Sequence, residues 1–150
     1  MLALFLAALL TQPVAPPSAS PTPALDPAWK KAALQKDEYA HYVRTEADGT
    51  QSEMIGSRQV CDCQPLHAIS IFKAVFGLQP GASVTTDTVD ICGSPQPRLT
   101  VTGIASPANS LKNGEFILFR REPAMYMFEY TFRYAKPMPD AESALATLCP

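Results

Sequence analysis

Apolar and polar residues alternate along most of the chain, and that period of two gives way twice to a spacing of three to four. "EYAHYVRTE" (38–46) sets Tyr39, His41 and Val43 on one face and breaks at Asp48-Gly49; "EMIGSRQVC" (53–61) then resumes as the second strand of a hairpin. In "PLHAISIFKAVFG" (65–77) Leu66, Ile69, Phe72 and Phe76 form a helical stripe, opened by Pro65 and closed by Gly77. Strand patterning returns in "SVTTDTVDIC" (83–92), followed by a turn at Gly93-Ser94-Pro95, "RLTVTGIA" (98–105) and a loop through Asn113-Gly114. "EFILFRREPAMYMFEYTFRY" (115–134) then reads as two strands about a tight turn at Glu122-Pro123. "DAESALATLC" (140–149) predicts an amphipathic helix capped by Asp140, with Ala141, Ala144, Leu145 and Leu148 inward. Near the start, Asp26-Pro27 followed by "AWKKAALQK" (28–36) predicts a short helix anchored to the body by Trp29.

The order helix, two strands, helix, four strands, helix, with short connections between neighbouring strands, predicts an α+β fold: a mainly antiparallel sheet of about six strands flanked by helices. Its most distinctive piece carries a ring at every second position, at Tyr126, Phe128, Tyr130, Phe132 and Tyr134. If Arg121 and Ala124 flank a two-residue turn, Phe119 lies opposite Tyr126, Ile117 opposite Phe128 and Glu115 opposite Tyr130. One hairpin face is then richly apolar and is expected to be core, covered by the stripe of Leu66, Ile69, Phe72 and Phe76. Each buried ring stabilises by about 1.5–3 kcal/mol. The opposite face, with Met125, Met127, Glu129, Thr131 and Arg133, is half polar and is expected to meet solvent or a partner. Together with Arg120 and Arg121 beside the turn, Met125, Met127, Glu129 and Arg133 form the candidate binding surface.

The first residues change where the protein is expected to reside. An uninterrupted apolar run from Leu2 to Leu10 precedes small and polar residues, as in a secretory signal, although no Lys or Arg precedes the run. The run is far short of the roughly 20 residues a membrane-spanning helix needs. Of the small-residue cleavage sites, the one after Ala24 avoids a following proline, so residues 1–24 are read as signal and 25–150 as one domain, with 25–27 ending a Pro-rich linker. The expected product is periplasmic or extracellular, with no membrane span after cleavage. All 12 basic and 14 acidic side chains lie from Asp26 onward, and this near balance argues against a nucleic-acid partner, which calls for a clustered basic surface.

Four cysteines in an exported chain read as two disulfides, with three connectivities open. The preferred pair is Cys92 with Cys149, which would tie down the end of the last helix and contribute roughly 4 kcal/mol by closing a long loop. Cys61 and Cys63 are then left to each other in "VCDCQP". Residues two apart on a strand are about 6.6 Å apart, so this bond needs a bend and would be strained and reducible. Cys63 also lies just before the helix opened by Pro65, where the dipole favours a thiolate. Cys61 and Cys63 are therefore the catalytic candidates of an alternative, thiol–disulfide redox function; the C-x-C spacing and the missing βαβ pattern favour a structural role. His41 on a strand face and His67 in a first helical turn are far apart in sequence and suggest neither a metal site nor a base for nucleophilic catalysis. Asp87 and Asp90 read as surface carboxylates. No cofactor-binding motif occurs.

"DICGSP", "MYMFEYTF" and "LATLCP" give residues 27–150 a resemblance to small exported proteobacterial proteins without assigned function, and the order of elements is similar to the PsbP-like α/β sandwich, named for an extrinsic subunit of photosystem II. That resemblance implies a sheet with flanking helices and a binding or assembly role without catalysis, but no residue carries over from it. The expectation is thus an exported, non-enzymatic binding or accessory protein, whose partner is an envelope protein or a small ligand.

Overall fold

A computed structural model describes residues 24–47, 49–104, 113–132 and 141–150. The elements follow the chain as β1 (Lys30–Lys31), β2 (Glu38–Thr45), β3 (Gln51–Val60), α1 (Pro65–Gly77), β4 (Ser83–Ile91), β5 (Ser94–Thr102), β6 (Asn113–Arg121), β7 (Ala124–Phe132) and α2 (Ala141–Ala146). The strands form one antiparallel sheet in the order β1-β2-β3-β7-β6-β5-β4. The sheet is therefore larger than expected, with seven strands, and the described helices are two rather than three.

The missing helix lies at 28–36. Asp26 accepts hydrogen bonds there from the backbone N–H groups of Ala28 and Trp29, but the turn leads into β1, which pairs with Tyr42 and Val43. The segment's two large apolar side chains, Trp29 and Leu34, do not share a helical face, so there is no stripe to hold a helix against the body, and Leu34 stays exposed. Burying Trp29 edge-on to Tyr130 and beneath the Arg44 guanidinium prevails over local helix propensity.

The β6–β7 hairpin has the expected register, with Phe119 opposite Tyr126, Ile117 opposite Phe128 and Glu115 opposite Tyr130. Its ring-bearing face is core: Phe128, Tyr130 and Ile117 are fully buried, and Phe119 and Tyr126 are buried beside them. The side chain of Phe132, and all of Arg133, Tyr134 and Asp140, lie outside the described residues. What covers these rings differs from expectation. Ala144, Leu145 and Leu148 from α2 and the turn after it pack here with Trp29, whereas α1 lies on the other face over Leu99, Val101, Phe116 and Leu118. β3 and β4 run parallel with three strands between them, so α1 is a crossover that must span β7, β6 and β5, and the face it crosses is the one α2 leaves free.

Two boundaries also move. The β4–β5 turn is Cys92-Gly93, both at positive φ, as a two-residue hairpin of this hand requires, and Ser94 and Pro95 already belong to β5. Asn113 and Gly114 open β6 instead of forming a loop.

Candidate functional site

α1 packs over β4, β5 and β6, and among the described residues no helix covers the β7, β3 and β2 part of that face. A groove of about 430 Å³ lies along the flank of α1, within the range of small-molecule sites. Its apolar surface comes from Ala68 and Phe72 of α1, Leu118 of β6, Met125 and Met127 of β7 and Ile55 of β3. Alternation explains the set: Ile55 is paired with Glu129, Ser57 with Met127 and Leu118 with Met127, so these side chains share one face of the pleat. Met125, Met127 and Glu129 are half-buried. Two neighbouring methionines give the floor unbranched, polarisable side chains that adapt to a ligand's shape.

The rim carries Lys36, Asp37, Glu38, Arg58 and Glu129. Its loop is fastened in place: Asp37 adopts a left-handed conformation (φ 67°), its carbonyl accepts the Arg58 N–H at 2.8 Å, and Glu38 accepts the Gln35 N–H at 2.8 Å. Glu38 also faces His41 Nδ1 at 3.2 Å, and Nδ1 lies 3.2 Å from the Ala33 carbonyl, to which it donates. Two basic and three acidic groups leave the rim without a strong preference for either sign of charge. Above it, the apolar lip continues onto the outside of α1, where Ile71 and Val75 are exposed next to Ala68 and Phe72 on the helical repeat.

Of the binding residues read from the sequence, Met125, Met127 and Glu129 come together here. Arg120 and Arg121 do not join them. Arg120 donates to the carbonyls of Cys61 (2.8 Å) and Cys63 (3.1 Å) and to Glu122, and Arg121 donates to the Pro150 carbonyl, so both guanidiniums hold chain segments in place. Arg133 lies outside the described residues. Sequence reasoning missed Ile55, Phe72, Lys36, Asp37 and Arg58. The available signal was β6 itself: "FILF" is apolar on both sides of the pleat, as in a strand covered on both faces, and so calls for a helix above Phe116 and Leu118.

The cysteines pair as Cys61–Cys63 and Cys92–Cys149. A bend brings the Cys61 and Cys63 Cα atoms to 5.2 Å, immediately before α1, where Gln64 is the N-cap and Pro65 opens the helix. Elsewhere Arg98 joins three elements, binding Asp87 of β4 through two nitrogens and Glu142 of α2 through a third, with Glu115 of β6 at 3.7 Å. Arg98 holds the Asp87 carboxyl below the usual range by hydrogen bonding, which is a structural use of that carboxylate. Two smaller cavities, of about 180 Å³ beside Trp29 and about 140 Å³ beside His41, are below ligand size. No group of metal-binding side chains occurs among the described residues.

These features define an α+β protein with a large antiparallel sheet, a helix on each face and two disulfides. No protein-family model matches the chain, and no curated protein matches its sequence. Among solved structures it is similar to LpqN, described as involved in cell envelope biogenesis of Mycobacterium tuberculosis, with a TM-score of 0.51 at 12% identity over 84% of this chain and 77% of that one. The two share a fold. Among the described residues no helix is long and apolar enough to cross a membrane.

Proposed function

We propose that the chain is an exported, non-catalytic binding or accessory protein that holds the apolar part of a small neutral or zwitterionic amphiphile in the groove between α1, β7 and β3. One observation carries this reading: the α1-side face is apolar across Leu118, Met125, Met127 and Ile55, yet α1 covers only part of it. A face left open in this way is more often a site than a defect, because an exposed apolar surface otherwise favours aggregation. The mixed charges of the rim suit a neutral or zwitterionic head better than a simple anion. Two disulfides fit an oxidising compartment, and the resemblance to PsbP-like sandwiches and to an envelope protein's fold supports a binding role there.

The test is native mass spectrometry of the mature protein purified from its own envelope, beside a Met127→Arg variant that puts a charge in the floor. A bound apolar molecule at one per chain, lost in the variant, is expected. Equal amounts in both, or none in either, would contradict the reading.

The thiol–disulfide alternative has one observation in its favour, the half-exposed Cys61–Cys63 bond at the start of α1. Arg120 weighs against it, because its bonds to both cysteine carbonyls fasten this bend to β6 and give it a structural task.

A further inference from the structure

The sheet ends on β4, a nine-residue strand paired along its whole length with β5 on one side. The prolines of β5 reveal which of its backbone groups are spent. Pro95 pairs with Asp90 and Pro97 with Thr88, and because proline has no N–H, these must be the pairs that exchange no hydrogen bonds. Alternation then places Thr86, opposite Leu99, and Val84, opposite Val101, in the same class. The N–H and C=O groups of Val84, Thr86, Thr88 and Asp90 thus point away from β5, and no residue among those described pairs with them. This edge lacks proline and bulges, is rich in threonine and valine, and Thr86, Thr88 and Asp90 are exposed. Natural proteins rarely leave so long and regular an edge unpaired.

We propose that the open edge of β4 pairs with the same edge of a second copy, antiparallel about a two-fold axis at Thr86, to make one sheet continuous across the dimer. Charge selects the register. Centring the axis on Asp87 would set the two Asp87 carboxylates directly opposite each other, a destabilising like-charge pair. Centring it on Thr86 sets Thr86 against its own copy, Val84 against Thr88, and Asp87 against the Thr85 hydroxyl, so that the two Asp87 carboxylates, each sharing its Arg98 with Glu142, are kept apart. In this register the outward groups of Val84, Thr86 and Thr88 all find partners. The edge is self-complementary, as a two-fold interface requires. The dimer and the groove lie on different parts of the sheet, so either can fail without the other.

The test combines sedimentation with amide hydrogen exchange of the mature protein from micromolar to millimolar concentration. A dimer should appear, with exchange at Thr86 and Thr88 slowing as it forms. Thr86→Pro removes the donor at the axis without touching the β4–β5 hydrogen bonds, and should weaken association roughly tenfold or more. A wild-type protein that stays monomeric with concentration-independent exchange at these amides would overturn the proposal, as would a folded Thr86→Pro variant that dimerises equally well. Should that variant not fold, the wild-type exchange data decide alone.

Discussion

Glu115 shows at the residue scale how sheet position dictates chemistry. It is buried between β5 and β7, and among the described residues its Oε2 has no hydrogen-bond partner and its nearest cation, Arg98, is 3.7 Å away and shared with Asp87 and Glu142. Burial raises its pKa first, the negative charges of Glu142 and Asp87 push the same way, and Arg98 only partly opposes them. A raised carboxyl pKa means that the fold prefers the protonated form. The ionised group costs stability at neutral pH, and stability is regained as pH falls through the raised value. Glu115→Gln is therefore expected to be at least as stable as wild type at neutral pH in urea unfolding, and to lack the wild type's gain in the mildly acidic window above the ordinary carboxylate range. A clear loss at neutral pH would show that the Arg98 pairing outweighs desolvation. Asn113 teaches a different lesson. Asn-Gly reads as a turn, yet the Asn113 side chain is buried, accepting the Ile104 N–H at 2.8 Å and donating to the Ile104 carbonyl at 2.9 Å. Gly114 is needed because a Cβ there would meet the Tyr130 carbonyl oxygen at 2.5 Å. Neither requirement can be read locally, since both come from chain distant in sequence or across a strand.

At the scale of elements, periodicity located α1 and most strands, because alternation and helical spacing are local properties of buried faces. It did not assign faces. The stripe of α1 matches either side of "FILF", and only the prior occupation of the ring-bearing side by α2 and Trp29 decides between them. β1 was missed because two exposed lysines carry no strand pattern of their own and become a strand only by pairing with β2. β5 begins earlier than "RLTVTGIA" because its prolines face β6, and the β5–β6 pairing accordingly starts only at Arg98. Gly56 makes room for the Tyr39 ring, which a Cβ would meet at 2.8 Å, and Tyr39 donates to the Leu148 carbonyl, joining β2 to the chain after α2. At this scale the Cys61–Cys63 bend belongs to the crossover. If it is a brace, the protein will not catalyse insulin reduction by a dithiol above background; catalysis abolished by Cys63→Ser would establish the redox alternative instead.

For the molecule as a whole, the sheet separates two environments. One face is closed, with Phe128, Tyr130, Met54 and Leu145 fully buried and the Cys92–Cys149 bond joining the β4–β5 turn to the end of the chain. Such a link, 57 residues apart in sequence, contributes about 4 kcal/mol in the chain-entropy model. The other face is closed, among the described residues, by α1 over β4, β5 and β6, and the groove lies beside it. The sequence made the composition of both faces legible, including Met125, Met127 and Glu129, but not the partial cover, which depends on where a 13-residue helix lies across a seven-stranded sheet. The division between a sealed and an open face can be measured with carbon-13 methyl-labelled methionine, since Met125 and Met127 report on the groove and Met54 on the sealed core. Titration with the apolar dye 1-anilinonaphthalene-8-sulfonate should shift the Met125 and Met127 methyl resonances saturably while Met54 stays fixed. Groove methyls that do not respond, or a Met54 signal that moves with them, would contradict it.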